Sequence, residues 1–163
     1  MATREETKKS NQPLIKAIVT GWIVAGTLDI SAAVIQTLLY GREPMRMLQY
    51  IASGMFGADA FSGGVPFSIL GLLFHYIIAM GWTVLFFVVY PKVHFLSKNI
   101  FLTAFLYGFF VWLMMNRVVL PLSQIPAAPF RIMGAVTAML ILVVAIGLPL
   151  AIVAKRYYSK PIH

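Results

Sequence analysis

Four long apolar segments, separated by short polar stretches, dominate the hydrophobic pattern of the chain. A bilayer with a hydrocarbon core of about 30 Å is crossed by roughly 20 apolar helical residues, and each segment reaches that length. The pattern predicts an all-α fold, an integral membrane bundle of four transmembrane helices that forms a single domain over residues 1–163. The predicted spans are residues 14–40, 66–90, 99–120 and 130–154.

A shorter segment, residues 45–57, predicts an amphipathic helix in the first outer loop. Its apolar positions fall on one helical face: Met47, Leu48, Ile51, Ala52, Met55 and Phe56. The opposite face carries Arg46, Gln49, Tyr50 and Ser53. The segment is too short to cross a bilayer, so we expect it to lie in the interface or over the bundle. A re-entrant segment is the alternative.

The composition favours a membrane protein over a soluble domain. Of 163 residues, 60% are hydrophobic and 11% are charged, whereas soluble domains average about 25% charged residues. The formal net charge is +8, but the basic residues cluster at the ends of apolar segments, so they predict topology and a lipid bilayer as partner rather than nucleic acid. The chain has no Cys, which excludes disulfides and thiolate metal sites.

The basic residues divide unevenly between the two sides of a four-span bundle. Nine lie on the side of the termini: Arg4, Lys8, Lys9, Lys16, Lys92, Lys98, Lys155, Arg156 and Lys160. Four lie on the other side: Arg42, Arg46, Arg117 and Arg131. Because positively charged segments stay in the cytoplasm, the division predicts cytoplasmic termini.

Ionisable residues inside the spans indicate a candidate polar cluster. At ~1.5 Å per residue, Asp29 lies about 22 Å from Leu14, and His75 lies about 22 Å from Tyr90. Arg117 lies about 27 Å from Asn99 by the same rise, so all three share the outer half of the membrane. We expect Asp29 to pair with Arg117, since each would otherwise be an unpaired charge in hydrocarbon. His75 could donate a hydrogen bond to Asp29 or to a main-chain carbonyl. Asn116 and Gln36 complete the predicted cluster.

The cluster has two interpretations. It either fixes the register of the helices or forms a binding site for a proton, an ion or a small solute. One His and one Asp within the spans fall short of a metal-ligand set, and the pattern predicts no metal and no cofactor. No Ser-His-Asp set, phosphate loop or pair of carboxylates predicts a catalytic site, so an enzyme has the least support.

One part of the chain resembles a known family. The second span, FHYIIAMGWTVLFFVVYPK, has a mid-span His followed by a Pro-Lys loop, and the next span ends in Asn116 and PLSQIP. Over residues 68–126 these features resemble the YagU-like family of bacterial inner-membrane proteins. The resemblance implies a multi-pass protein of the bacterial inner membrane and assigns no residue a role.

We therefore expect a small non-enzymatic membrane protein. It would self-associate as a homo-oligomer or serve as an accessory subunit of a membrane complex. The alternative is a proton-coupled transporter, or a channel for ions or small solutes, that works as an oligomer.

Overall fold

The computed structural model describes residues 4–125 and 131–159, and every regular element within them is a helix. Four helices are long and apolar enough to cross a membrane, which confirms the four-span, all-α prediction and indicates a multi-pass membrane protein. We call them the first to fourth spans: Pro13–Leu39, Gly64–Lys92, Ile100–Leu122 and Ile132–Tyr158. The predicted start of the fourth span, residue 130, lies outside the described residues.

The helices that build the spans extend beyond the apolar segments or change helix type along their length. The first helix, Arg4–Leu39, starts ahead of the predicted span because residues 4–12 are mostly good helix formers. The second span combines an α-helix with a 3₁₀ turn, and the third and fourth each contain a π-helical turn. The helices after the first are Pro44–Phe56, Gly57–Phe61, Gly64–Val89, Tyr90–Lys92, His94–Lys98, Ile100–Met114, Met115–Val119, Leu120–Leu122, Ile132–Leu142, Val143–Gly147 and Leu148–Tyr158.

Gly41 ends the first span in a Schellman motif. Its φ of +65° is a left-handed conformation that favours glycine. The N–H of Arg42 donates to the carbonyl of Thr37 at 3.0 Å, and the N–H of Gly41 donates to that of Leu38 at 2.9 Å. These two bonds are the paired signature of the motif. The turn therefore folds Arg42 back towards the last turn of the first span.

The spans form an antiparallel bundle with a buried core near the chain termini. The first span packs against the second and the fourth, and the third packs mainly against the fourth. The first and third spans therefore lie diagonally across the bundle. Buried core residues include Phe86 on the second span, Tyr107 on the third and Leu150 on the fourth. We call the end of the bundle with residues 40–63 and 123–125 the distal end.

Close approach of the third and fourth spans depends on glycine. A Cβ added to Gly108 would overlap the backbone of Val143, and one added to Gly147 would overlap the backbone of Ala104. Small residues at such crossings let helix backbones touch, which gives membrane helices more van der Waals contact. These two glycines therefore fix how the third span sits on the fourth.

A proline follows each π-helical turn by two residues. Pro121 follows Met115–Val119, and Pro149 follows Val143–Gly147. Proline has no N–H to donate and its ring clashes with the carbonyl four residues earlier. In both spans that carbonyl lies within the π turn, where the wider geometry relieves the clash. The fourth span thus continues for nine residues past Pro149, whereas the third ends one residue after Pro121.

The short helix Pro44–Phe56, which we call the connecting helix, packs on the second span with a face that shares only Ala52, as a buried residue, with the predicted apolar face. Gln49 and Ser53 are buried, whereas Met55 is 62% exposed. The Gln49 side chain donates to the carbonyl of Gly64 at 3.0 Å. Close packing is possible because Gly71 has no side chain, and a Cβ there would overlap the carbonyl of Leu48.

Candidate functional site

Asp29 faces the second span, where its Oδ2 lies 4.0 Å from Nδ1 of His75. The side chains are 19% and 11% exposed, so both are largely shielded within the bundle. Within residues 4–125 and 131–159 no hydrogen bond reaches the Asp29 carboxylate. A charge in hydrocarbon is costly and normally faces a partner, and His75 is that partner here.

The other ring nitrogen of His75 is fixed by the main chain of the first span. Nε2 lies 2.8 Å from the carbonyl oxygen of Gly26, which accepts hydrogen bonds and cannot donate them. Nε2 therefore carries a hydrogen and donates it. In a neutral imidazole this leaves Nδ1 as an acceptor facing Asp29, so a proton on either Nδ1 or the carboxyl group makes the contact attractive and the pair neutral overall.

Tyr76 forms the second half of the contact between the two spans. Its main-chain oxygen accepts a hydrogen bond from Trp22 Nε1 at 2.7 Å, and its hydroxyl lies 3.0 Å from that of Thr27. The ring also meets the His75 ring edge to face, with centroids 5.4 Å apart. Sequence reasoning missed Tyr76 because a tyrosine in an apolar span carries no sign of its partner.

Gly26 allows this contact to form. A Cβ at that position would lie 3.1 Å from the Tyr76 ring and 3.5 Å from the Cβ of Ala79. The small residues Gly26 and Ala79 therefore face each other at this crossing. The first and second spans approach closely enough for His75 to reach a main-chain carbonyl.

The expected pair between Asp29 and Arg117 is wrong. Arg117 lies exposed in the π-helical turn Met115–Val119, and no ion pair joins it to a carboxylate among the described residues. The third span lies diagonal to the first, so equal depth does not bring the two residues together. Arg117 is five residues from the end of the span, and a long arginine side chain reaches the interface from there.

Asn116 lies apart from Asp29 as well. Its side-chain amide donates to the carbonyl of Trp112 on the same helix at 2.8 Å. The main-chain N–H of Met115 donates to the same carbonyl, so the Asn116 side chain adds a second donor just before the π turn. The contact explains why a polar residue stands at this position and gives it a local structural role.

Gln36 lines a separate groove at the distal end of the bundle. The groove has a volume of about 390 Å³ and lies between the end of the first span and the start of the fourth. Its lining residues are Gln36, Thr37, Tyr40, Arg42, Arg131, Met133 and Gly134. The predicted five-residue cluster is therefore divided among three places, and only Asp29 and His75 contact each other.

The contact of Asp29 with His75 is a two-residue site. Among the described residues, no three His, Asp or Glu side chains come together in a group suited to a metal ion. The pair supplies one acid and one base within ion-pair distance, which is chemistry suited to holding or exchanging a proton.

Comparison with protein-family models, curated proteins and solved structures finds no match to this chain. The resemblance to the YagU-like family over residues 68–126 therefore stays a prediction.

Proposed function

We propose that the chain is a small, non-enzymatic integral membrane protein that self-associates or serves as an accessory subunit of a membrane complex. The contact of Asp29 and His75 then holds the first and second spans in a fixed register. The observation that carries the proposal is that both ring nitrogens of His75 face the first span: Nε2 donates a hydrogen bond to the Gly26 carbonyl, and Nδ1 lies within ion-pair distance of Asp29.

The neighbouring polar groups support a structural role for this contact. Trp22, Thr27 and Tyr76 direct their polar atoms across the same two spans. Polar groups in a bilayer gain from bonding to each other because no water competes for them. Residues used in this way hold two helices at a fixed height and rotation.

The third span supports association with another subunit. Only 17% of the residues in its apolar stretch are buried within the bundle, which is the lowest fraction among the four spans. Phe105 and Phe109 lie one turn apart on its exposed surface, with parallel rings 6.3 Å apart. A span that its own chain covers so little presents a face to lipid or to another protein, and we propose that a second copy or a partner subunit covers it.

We propose the bacterial inner membrane as the location, with both termini in the cytoplasm. The nine basic residues on the side of the termini support this orientation against four on the other side. The resemblance to YagU-like proteins supports the bacterial inner membrane.

The absence of native cysteine provides a direct test of association by cross-linking. In native membranes, Phe105→Cys or Phe109→Cys should form disulfide-linked dimers on mild oxidation. The matched controls Leu73→Cys and Ile77→Cys lie one turn apart on the second span and are also exposed. Preferential cross-linking through the third span is the expected result.

Equal cross-linking at all four positions would indicate random collision and contradict a specific interface. A protein that is monomeric in native nanodiscs, without cross-links and without a co-purifying membrane protein, would overturn the proposal.

Proton-coupled transport by an oligomer is the second candidate. It is favoured by the fixed donor role of Nε2, since the remaining proton of the pair has two alternative positions, Nδ1 and the Asp29 carboxyl group. A group that holds a proton in either of two neighbouring positions is suited to passing it on.

Liposomes with an internal pH dye test this candidate. Transport predicts that the wild-type protein dissipates an imposed pH gradient faster than empty vesicles and that Asp29→Asn abolishes the difference. If the wild-type protein and Asp29→Asn both match empty vesicles over a range of ions and small solutes, this second function is excluded.

A further inference from the structure

The groove at the distal end brings two arginines together without an acidic residue in its lining. Arg42 comes from the turn after the first span, and Arg131 immediately precedes the fourth. Neither forms an ion pair among the described residues. The chain has only five acidic residues, and the one adjacent to the groove, Glu43, is exposed and outside the lining.

The local fold places these groups on a common site. The Schellman motif at Gly41 brings Arg42 back beside the last turn of the first span. Gln36 in the last turn of that helix and Tyr40 directly after it supply an amide and a phenolic hydroxyl. The hydroxyl of Thr37 is already bonded to the carbonyl of Ala33 at 2.7 Å, so it serves the helix.

The start of the fourth span adds to the positive potential. Arg131 is its N-cap residue and its side chain makes no capping bond. The first N–H groups of a helix have no intrahelical acceptor and carry a partial positive charge. Met133 and Gly134, from this first turn, line the groove together with the two arginines. Helix N–H groups and arginine side chains both favour anionic oxygen atoms.

We propose that this groove binds a phosphate group, with Arg42 and Arg131 as the principal charged donors and Gln36 and Tyr40 as neutral ones. Arginine matches phosphate because its planar guanidinium donates two parallel hydrogen bonds. The phosphate belongs either to a lipid headgroup, since the groove lies at the ends of two membrane spans, or to a soluble phosphate compound. This site is distinct from the Asp29–His75 contact and does not depend on the proposed association.

Binding to the full chain in a phosphate-free maltoside detergent tests the site with two phosphate-bearing probes, each with a phosphate-free control. Inorganic phosphate, compared with chloride at equal ionic strength, represents the soluble source. Phosphatidylglycerol represents the lipid source, and diacylglycerol with the same acyl chains is its phosphate-free control. Thermal unfolding and native mass spectrometry report binding, and we expect stabilisation by at least one phosphate-bearing probe and none by chloride or diacylglycerol.

Single-site variants locate the binding. Arg42→Gln and Arg131→Gln should each weaken binding of the effective probe by about tenfold, the usual scale for losing a charge-assisted hydrogen bond. Arg46→Gln is the matched control, because Arg46 is exposed on the connecting helix and does not line the groove. It removes the same charge at the same end of the bundle and should leave binding unchanged.

The outcomes distinguish a lipid phosphate, a soluble phosphate and the absence of a specific phosphate site. Tight binding of phosphatidylglycerol alone assigns the groove to a lipid headgroup, and binding of inorganic phosphate assigns it to a soluble ligand. Equal weakening by Arg46→Gln would show general charge attraction and overturn the site. Equal stabilisation by phosphatidylglycerol and diacylglycerol, with no effect of inorganic phosphate, would also overturn it.

Discussion

The carbonyl oxygen of Gly26 determines which nitrogen of His75 carries a hydrogen. With Nε2 held as a donor at 2.8 Å, Nδ1 is the ring nitrogen that faces Asp29, and one further proton would sit on Nδ1 or on the Asp29 carboxyl group. Either arrangement makes the pair neutral overall, which lowers the cost of placing an acid in a membrane span. The main chain of the first span thus sets the chemistry of a side chain on the second.

The pairing of Asp29 with His75 predicts energetic coupling between them. In a double-mutant cycle, Asp29→Ala and His75→Ala should be non-additive by ~0.5 to 3 kcal/mol, because either single change leaves the other group without its partner. Unfolding in mixed detergent micelles, followed by tryptophan fluorescence, measures the free energies. The double variant should lose less free energy of unfolding than the sum of the losses in the two single variants.

A second cycle with Arg117→Ala serves as the control. Since Asp29 and Arg117 lie on diagonal spans and form no ion pair, their effects should add to within ~0.5 kcal/mol. Strong coupling of Asp29 to Arg117, with additivity between Asp29 and His75, would contradict the geometry described here.

Counting residues along the spans predicted part of this site. The depths of Asp29 and His75 agree because helical rise is constant, and the structure brings these two residues together. The same count failed for Arg117, because depth carries no information about which helices are neighbours or how each is rotated. The groove went unpredicted because Arg131 is far from Gln36 in sequence and meets it only through helix packing.

At the level of the helices, the crossing of the third and fourth spans predicts a strong effect of one added methyl group. Gly108→Ala should destabilise the protein by ~1 to 3 kcal/mol, since its Cβ would overlap the backbone of Val143 and force the spans apart. Gly81→Ala is the matched control in a membrane helix, because a Cβ there meets nothing within 4 Å. Thermal unfolding in a fixed detergent compares the two.

The control has an expected sign of its own. Alanine is a better helix former than glycine, so Gly81→Ala should be neutral or stabilising by up to ~1 kcal/mol. If both variants lose stability to the same extent, glycine is needed for a reason other than the crossing, and the packing explanation fails.

The connecting helix gives a third prediction. Gln49→Leu should cost about 1 kcal/mol, because the buried side chain loses its hydrogen bond to Gly64 and leaves that carbonyl without this donor. Met55→Ala, at a largely exposed position, should change stability by less than ~0.5 kcal/mol. Chemical denaturation of the two variants measures the difference, and a reversed order would contradict the burial of Gln49 against the second span.

The burial of Gln49 and Ser53 beside Ala52 shows why periodicity alone was insufficient for this helix. Hydrophobic residues turn inward when the surroundings are water, but in a bilayer the outward side is also apolar. Gln49 and Ser53 then gain more from main-chain partners than from facing lipid, while Met55 remains exposed.

Over the whole molecule, the first span links the two candidate sites. Asp29 and Gln36 are seven residues apart, which places them on one helical face about 10 Å apart at ~1.5 Å per residue. The Asp29–His75 contact lies in the span and the groove lies beyond it at the distal end. A phosphate group bound by Arg42 and Arg131 would therefore lie on the same side of the first span as the ionisable pair.

The membrane orientation of the whole bundle is testable with a matched pair of serines. Ser62 lies in the distal loop and Ser159 follows the fourth span; both are exposed and donate to a carbonyl of their own turn. In the cysteine-free chain, Ser62→Cys should react with a membrane-impermeant maleimide in intact spheroplasts, because the basic residues predict an outward distal end. Ser159→Cys should react only after the membrane is permeabilised. The reverse labelling pattern would place the termini outside and remove the charge-based argument for cytoplasmic termini, whereas labelling of both cysteines in sealed spheroplasts would contradict a single orientation.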